Sequence, residues 1–162
     1  MITWTSASIQ AGDVRLRYQR AGSGTPIVLL HGMTDNGDCW KPYAALLARN
    51  HDVILIDARG HGESDKSCVT VAHVDQVDDL RSVITQLQLH KPQLIGHSMG
   101  AMVAYIAACT YPELLQSVIL EDPRFRPIVY NSETLRESAR ANVWGWIDSM
   151  QHMSHEALVM RC

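Results

Sequence analysis

Apolar and polar residues alternate along two stretches near the N-terminus, Trp4 to Ile9 and Val14 to Arg20, with Ala11-Gly12-Asp13 between them. Successive side chains of a strand face opposite ways, so this pattern predicts two half-buried strands joined as an antiparallel hairpin. Gly22 to Pro26 reads as a loop. No lysine follows its glycines and a strand comes next, so it is a plain turn and not a phosphate cradle. From Ile27 the pattern changes. Ile27 to Leu30, Val53 to Ile56, Gln93 to Gly96 and Ser117 to Leu120 are short, mostly apolar runs of the kind found in strands buried on both faces. Helical patterns separate them: Trp40 to Arg49 with Pro42 in its first turn, Val74 to Leu89 with apolar residues at 77, 80, 83, 84 and 87, and Ala101 to Thr110, rich in small residues. Buried strands alternating with helices predict an α/β fold, a mostly parallel sheet with helices on both faces and right-handed crossovers.

After Pro123 the character shifts. Glu133 to Asn142 is polar and helical, Val143 to Met150 is helical with Trp144 and Trp146, and Ser154 to Arg161 is a further short helix. No strand pattern follows. The expected organisation is an α/β core over 1–123 and a helical segment over 124–162. Val118 to Leu120 would then lie in an edge strand with apolar side chains uncovered, and such an edge invites pairing with another chain. Association is therefore expected, as a homo-oligomer or with a complementary chain.

Composition narrows the partners. The chain has 162 residues, 46% hydrophobic and 19% charged, with a formal net charge of -3. That balance and the lack of a basic run give no reason to expect nucleic acid, and no stretch approaches the ~18 apolar residues of a membrane helix. Met1 to Gln10 lacks the basic start and apolar block of a signal peptide, so the cytoplasm is the expected location. Cys39, Cys68, Cys109 and Cys162 have no close pairing and no metal-like spacing with histidine, so they read as free thiols. Neither a metal nor an organic cofactor is implied.

The chemistry concentrates at Gly96-His97-Ser98-Met99-Gly100, directly between a buried strand and a helix. A serine at such a turn takes a strained backbone conformation, the flanking glycines remove clashing side chains, and the hydroxyl is pushed above the sheet. The next helix aims its positive end at the point where an oxyanion would develop. His31-Gly32-Met33 ends the first buried strand, where a loop passes the elbow. Backbone N–H groups of Met33 and Met99 could thus converge on one oxygen. His31 is expected to bond to the loop backbone. Cys39 lies near this loop without a cationic neighbour and reads as a filler.

Together, HGMTDNGDCW at 31–40, DARGHGESD at 57–65, GHSMG at 96–100 and VILEDP at 118–123 resemble the α/β-hydrolase superfamily, particularly its esterase-like, cap-bearing members. The resemblance runs from the first strands to about residue 123. It implies that Ser98 is the nucleophile, that Met33 and Met99 supply the oxyanion donors, and that Asp57, Arg59 and His61 are scaffold. His97 is implied to pack beneath the nucleophile, and 124–162 to begin a cap. An Asp nucleophile, as in dehalogenases and epoxide hydrolases, is excluded because position 98 is Ser.

The resemblance also implies a triad in the order Ser, acid, His, with the histidine after the last strand. Those last strands have no counterpart here. Asp122 is the candidate acid, with a structural role at the turn before Pro123 as its alternative. His152 and His155 are the histidines downstream, more simply read as surface residues, so the base is unknown. Asp35 and Asn36 are candidate substrate contacts. Trp144, Trp146 and the methionines would line an apolar acyl or aromatic pocket, or simply pack as core. The leading expectation is a hydrolase of carboxylic esters or related acyl compounds acting on a small molecule. A catalytically incomplete, binding-only protein of this fold, and a cofactor-free haloperoxidase or C–C hydrolase, remain beside it.

Overall fold

The sheet is built where the apolar runs lie. In the computed structural model, which describes residues 2–66 and 72–123, the strands are β1 (Thr5–Ala11), β2 (Val14–Gly22), β3 (Thr25–Leu30), β4 (His51–Ile56), β5 (Gln93–His97) and β6 (Ser117–Glu121). The helices are α1 (Lys41–Leu47), α2 (His73–Gln86) and α3 (Met99–Thr110). The strand order is β1-β2-β4-β3-β5-β6. β1 and β2 form the antiparallel hairpin, β2 runs antiparallel to β4, and β4, β3, β5 and β6 are mutually parallel. The parallel strands therefore present their C-terminal ends together along one edge, the usual ligand edge of an open α/β sheet.

Two apolar layers cover the sheet. On one face, Leu16, Val28, Leu30, Ile54, Ile56 and Leu94 pack against Val77, Leu80 and Val83 of α2 and Val103, Ala104 and Ala107 of α3. On the other, Ile27, Leu29, Val53, Leu55 and Ile95 pack against Ala44 of α1 and the adjoining Ala48. The alternation of neighbours such as Val28 and Leu29 between the two layers explains why these strands read as unbroken apolar runs. All the described residues belong to one compact unit, Met1–Phe125. Among them, no helix is long and apolar enough to cross a membrane. The expected helices after Pro123, with Trp144, Trp146, His152, His155 and Cys162, lie outside the described residues, as does Cys68.

The structure adjusts several expected bounds. β2 extends to Gly22 and β3 begins at Thr25, so the Gly22-to-Pro26 loop shrinks to a tight turn. The helix expected over Trp40 to Arg49 is a short 3-10 turn, Gly37–Trp40, followed by α1. Asn36 caps that turn by accepting the Asp38 N–H at 2.9 Å. α3 starts at Met99, two residues before the small-residue run, because Ser98 already ends the strand. β6 is an edge strand among the described residues. Its apolar side chains are only partly uncovered: Val118 and Leu120 pack on the α3 layer, whereas Ile119 is 54% exposed.

The largest correction concerns β2, expected to be half-buried. Its polar positions Arg17 and Gln19 are buried as well. Carboxylates cover that face: Arg17 meets Asp57 at 3.3 Å and Asp38 at 3.4 Å, and Gln19 donates to Asp38. Asp57, only 1% exposed, also accepts the N–H of Gly37 at 2.8 Å and of Glu63 at 2.9 Å. One carboxylate thus ties β2, the loop after β3 and the loop after β4. Asp57→Asn keeps the shape but removes the buried carboxylate facing Arg17, which retains Asp38 and Glu63 as partners, and losing one charge-assisted bond costs about 1.5–3 kcal/mol. Urea unfolding should show a loss of that order. An unchanged midpoint would mean that the network contributes nothing.

Candidate active site

Ser98 stands between β5 and α3 with φ 49° and ψ -104°, a left-handed conformation that a residue with a side chain avoids. The neighbouring backbone enforces it. A Cβ on Gly96 would overlap the Gly100 carbonyl, and a Cβ on Gly100 would overlap the Leu30 carbonyl. The first turn of α3 therefore packs directly on the ends of β5 and β3, an approach that only glycine permits. Two backbone bonds fasten it: the Ser98 N–H donates to the Glu121 carbonyl at 2.9 Å, and the Gly100 N–H donates to the His31 carbonyl at 3.1 Å. The second bond brings the loop after β3 to the start of α3.

Met33 lies two residues beyond His31, and Met99 is the first residue of α3. Among the described residues, neither main-chain N–H has a hydrogen-bond acceptor. That leaves two unpaired donors, one two residues beyond His31 and the other next to Gly100 at a helix N-terminus, where unpaired N–H groups attract negative charge. The Met99 side chain points elsewhere, its thioether accepting from the buried Gln76 amide at 3.3 Å. His97 lies inside the elbow, its ring against Gly32.

The loop after β3 is held by two imidazoles. His31, buried, approaches the Gly32 carbonyl with Nδ1 at 2.7 Å, while its Nε2 accepts the Ala58 N–H at 3.0 Å. An Nε2 that accepts leaves the proton on Nδ1 as donor. Burial pushes the His31 pKa below its ordinary value, consistent with that neutral form. His61 reaches the Met33 carbonyl with Nε2 at 2.6 Å and the Arg59 carbonyl with Nδ1 at 3.0 Å. The two rings lie 5.1 Å apart. Beneath them Arg59 makes a buried, two-pronged ion pair with Asp79 of α2 at 2.6 and 2.7 Å. Burial pushes the Asp79 carboxyl up against the opposing pull of Arg59.

The remaining sequence candidates divide clearly. Asp122 follows β6, exposed, with φ 47°, a conformation aspartate tolerates better than most residues. It comes next after Glu121, whose carbonyl holds the Ser98 N–H, so its backbone lies beside the elbow. Asp35 is exposed at the turn where its N–H meets the Gly32 carbonyl at 3.2 Å. The Cys39 thiol is pushed up to about 11 by burial and by the carboxylates of Asp35 and Asp38, so it is not a nucleophile at neutral pH. Cys39 and Cys109 are free thiols. Sequence reading missed Arg17, Asp38, Gln76 and Asp79. The signal available was polar residues recurring in phase within strand β2 and within the inward-facing stripe of α2.

A serine at a strained turn between a parallel strand and a helix, with a braced loop after the first parallel strand packed against that turn, defines a class of fold. The sequence pattern of the alpha/beta hydrolase fold family matches residues 25–152, and the chain belongs to that family. A 2-(acetamidomethylene)succinate hydrolase of Mesorhizobium japonicum is 33% identical over 137 residues, 85% of this chain and 49% of that protein. The solved structure of an E-2-(acetamidomethylene)succinate hydrolase superposes with TM-score 0.73 at 33% identity, over 87% of this chain and 52% of that one. An epoxide hydrolase, CorEH, gives TM-score 0.74 at 27% identity over 82% of this chain and 48% of that one. The relatives are hydrolases, and the chain spans about half their length.

The neutral state of His31 has a pH consequence. Because the fold holds its pKa below 6.5, the unfolded chain takes the proton first, so stability is full above that value and is lost as pH falls through the folded-state pKa. Urea midpoints should fall between pH 7.5 and pH 5 (about the range where histidine titrates), and His31→Gln should flatten part of that slope. Identical slopes would show that His31 is not held neutral.

Proposed function

We propose that the protein is a serine hydrolase of carboxylic esters or related acyl substrates, working through an acyl-enzyme on Ser98. One observation carries the reading: a serine forced to φ 49° at the N-terminus of α3, where the bond from Gly100 to His31 draws in the loop that holds Met33, and neither the Met33 nor the Met99 N–H has an acceptor among the described residues. An unstrained turn would serve a purely structural role, and strain of this kind, of order 1–3 kcal/mol, concentrates where the side chain acts.

In this mechanism the Ser98 Oγ forms a bond to the substrate carbonyl carbon while its proton passes to a general base. The C=O pair moves onto oxygen, and the N–H groups of Met33 and Met99 receive the oxyanion. Collapse expels the alcohol or other leaving group, which takes the proton from the base, and Ser98 is left acylated. Water then attacks by the same route and releases the acid. His31 and His61 are not the base, because both nitrogens of each ring already face backbone groups. Asp122, next to the elbow, is the proposed orienting acid. The succinate-derived hydrolase relatives favour a small-molecule acyl substrate, and Ser at position 98 leaves no carboxylate nucleophile at the elbow for epoxide opening.

A second reading is that the chain is catalytically incomplete alone and gains its base by association along the β6 edge, where Ile119 is exposed. A single experiment addresses both. The purified chain is treated with a fluorophosphonate across a dilution series, with Ser98→Ala as control, and the modified peptide is read by mass spectrometry. Labelling confined to Ser98 and independent of protein concentration is the expected result. A rate that rises with protein concentration favours the shared site. No labelling in a folded sample contradicts the hydrolase reading.

A further inference from the structure

We propose that His31 is a positioning residue of the Met33 oxyanion donor. The Ala58 N–H selects the ring tautomer with its proton on Nδ1, and that proton holds the Gly32 carbonyl, so the Met33 N–H on the same peptide keeps its direction. The inference rests on the serine-hydrolase reading above and names a component of the same site.

The Met33 N–H and the Gly32 carbonyl share one rigid peptide. That peptide is trans, so the two groups point opposite ways in one plane, and whatever fixes the carbonyl fixes the N–H. Two donors meet the carbonyl: His31 Nδ1 at 2.7 Å and the Asp35 N–H at 3.2 Å. The second belongs to the same turn and moves with it. The first is anchored elsewhere. The His31 carbonyl accepts the Gly100 N–H of α3 at 3.1 Å, and its Nε2 accepts the Ala58 N–H from the loop after β4 at 3.0 Å. The imidazole therefore refers the Gly32 carbonyl to two other parts of the chain. His97, at the end of β5, adds a packing contact, with its Nδ1 2.8 Å from where a Cβ on Gly32 would stand.

The tautomer decides the sign of the contact. A neutral imidazole carries one proton, and a nitrogen that accepts from an N–H does not bear it. The bond from Ala58 thus puts the proton on Nδ1, facing the Gly32 oxygen. With the proton on Nε2 instead, two N–H groups would oppose each other at Ala58, and the Nδ1 lone pair would face the carbonyl oxygen. Both contacts would be repulsive, and the peptide would turn away from the ring, taking the Met33 N–H with it. An oxyanion donor loses much of its worth when turned, because it acts on charge that exists only in the transition state.

Two substitutions separate the bonds of the ring. Asparagine places an amide nitrogen near the position of Nδ1 and leaves Ala58 without an acceptor, whereas glutamine reaches the position of Nε2 and leaves Gly32 without the donor. The limiting rate of Ser98 phosphonylation and the reagent affinity are measured separately for wild type, His31→Asn and His31→Gln, with urea midpoints to establish folding. His31→Gln should lower the limiting rate roughly ten-fold with affinity unchanged, and His31→Asn should recover most of it. Each variant lacks one of the two bonds, so a merely bracing role would lower both rates alike, in step with the midpoints. A long-range proton–nitrogen spectrum of the wild-type ring should show the proton on Nδ1 and a bare Nε2. That readout holds even if neither variant folds. A labelled wild type whose His31→Gln variant reacts as fast, an asparagine variant slowed as much as the glutamine one, or a proton on Nε2 overturns this role alone. A wild type that is never labelled contradicts the serine-hydrolase reading and this role with it.

Discussion

The structure depends on one close approach, that of the first turn of α3 to the C-terminal ends of β3 and β5. Glycine at 96 and 100 lets main chain touch main chain there, and the bond from the Gly100 N–H to the His31 carbonyl holds the contact. Ser98 is caught between them at positive φ. The same contact brings the loop after β3 beside the helix N-terminus. The conformation of Ser98 and the placement of the loop after β3 thus follow from a single packing constraint.

What surrounds that contact is polar bracing. Asp57 gathers Arg17, the Gly37 N–H and the Glu63 N–H, and the Arg59–Asp79 pair ties the 57–65 loop to α2. Buried ion pairs add little net stability over apolar packing, since desolvation offsets their attraction. Their value here is directional. A carboxylate with three fixed partners and two imidazoles with backbone partners leave the loop after β3 one conformation, which is what a preorganised site requires.

Much of the fold was legible because the parallel strands are buried on both faces and so announce themselves as apolar runs. β3, β4 and β5 appear where those runs lie, and α2 follows its stripe at 77, 80, 83 and 84. The elbow was legible for a different reason: Gly96 and Gly100 bracket Ser98 where nothing but a close approach demands glycine. Strand β2 was misread because an arginine and a glutamine at alternate positions look solvent-facing. Their partners Asp38 and Asp57 come from distant parts of the chain, and no local pattern carries that information. The His61–Met33 contact was invisible for the same reason, being a bond between residues 28 apart in sequence.

The fold holds Ser98 at positive φ, and the urea stability of Ser98→Gly against that of Ser98→Ala measures that strain directly. At an ordinary position glycine is the less stable of the two by about 0.5–1 kcal/mol. At positive φ the order reverses, since a Cβ there costs roughly 1–2 kcal/mol. Ser98→Gly should therefore be the more stable variant. A less stable Ser98→Gly would mean that the elbow is relaxed and that the site is not built around strain.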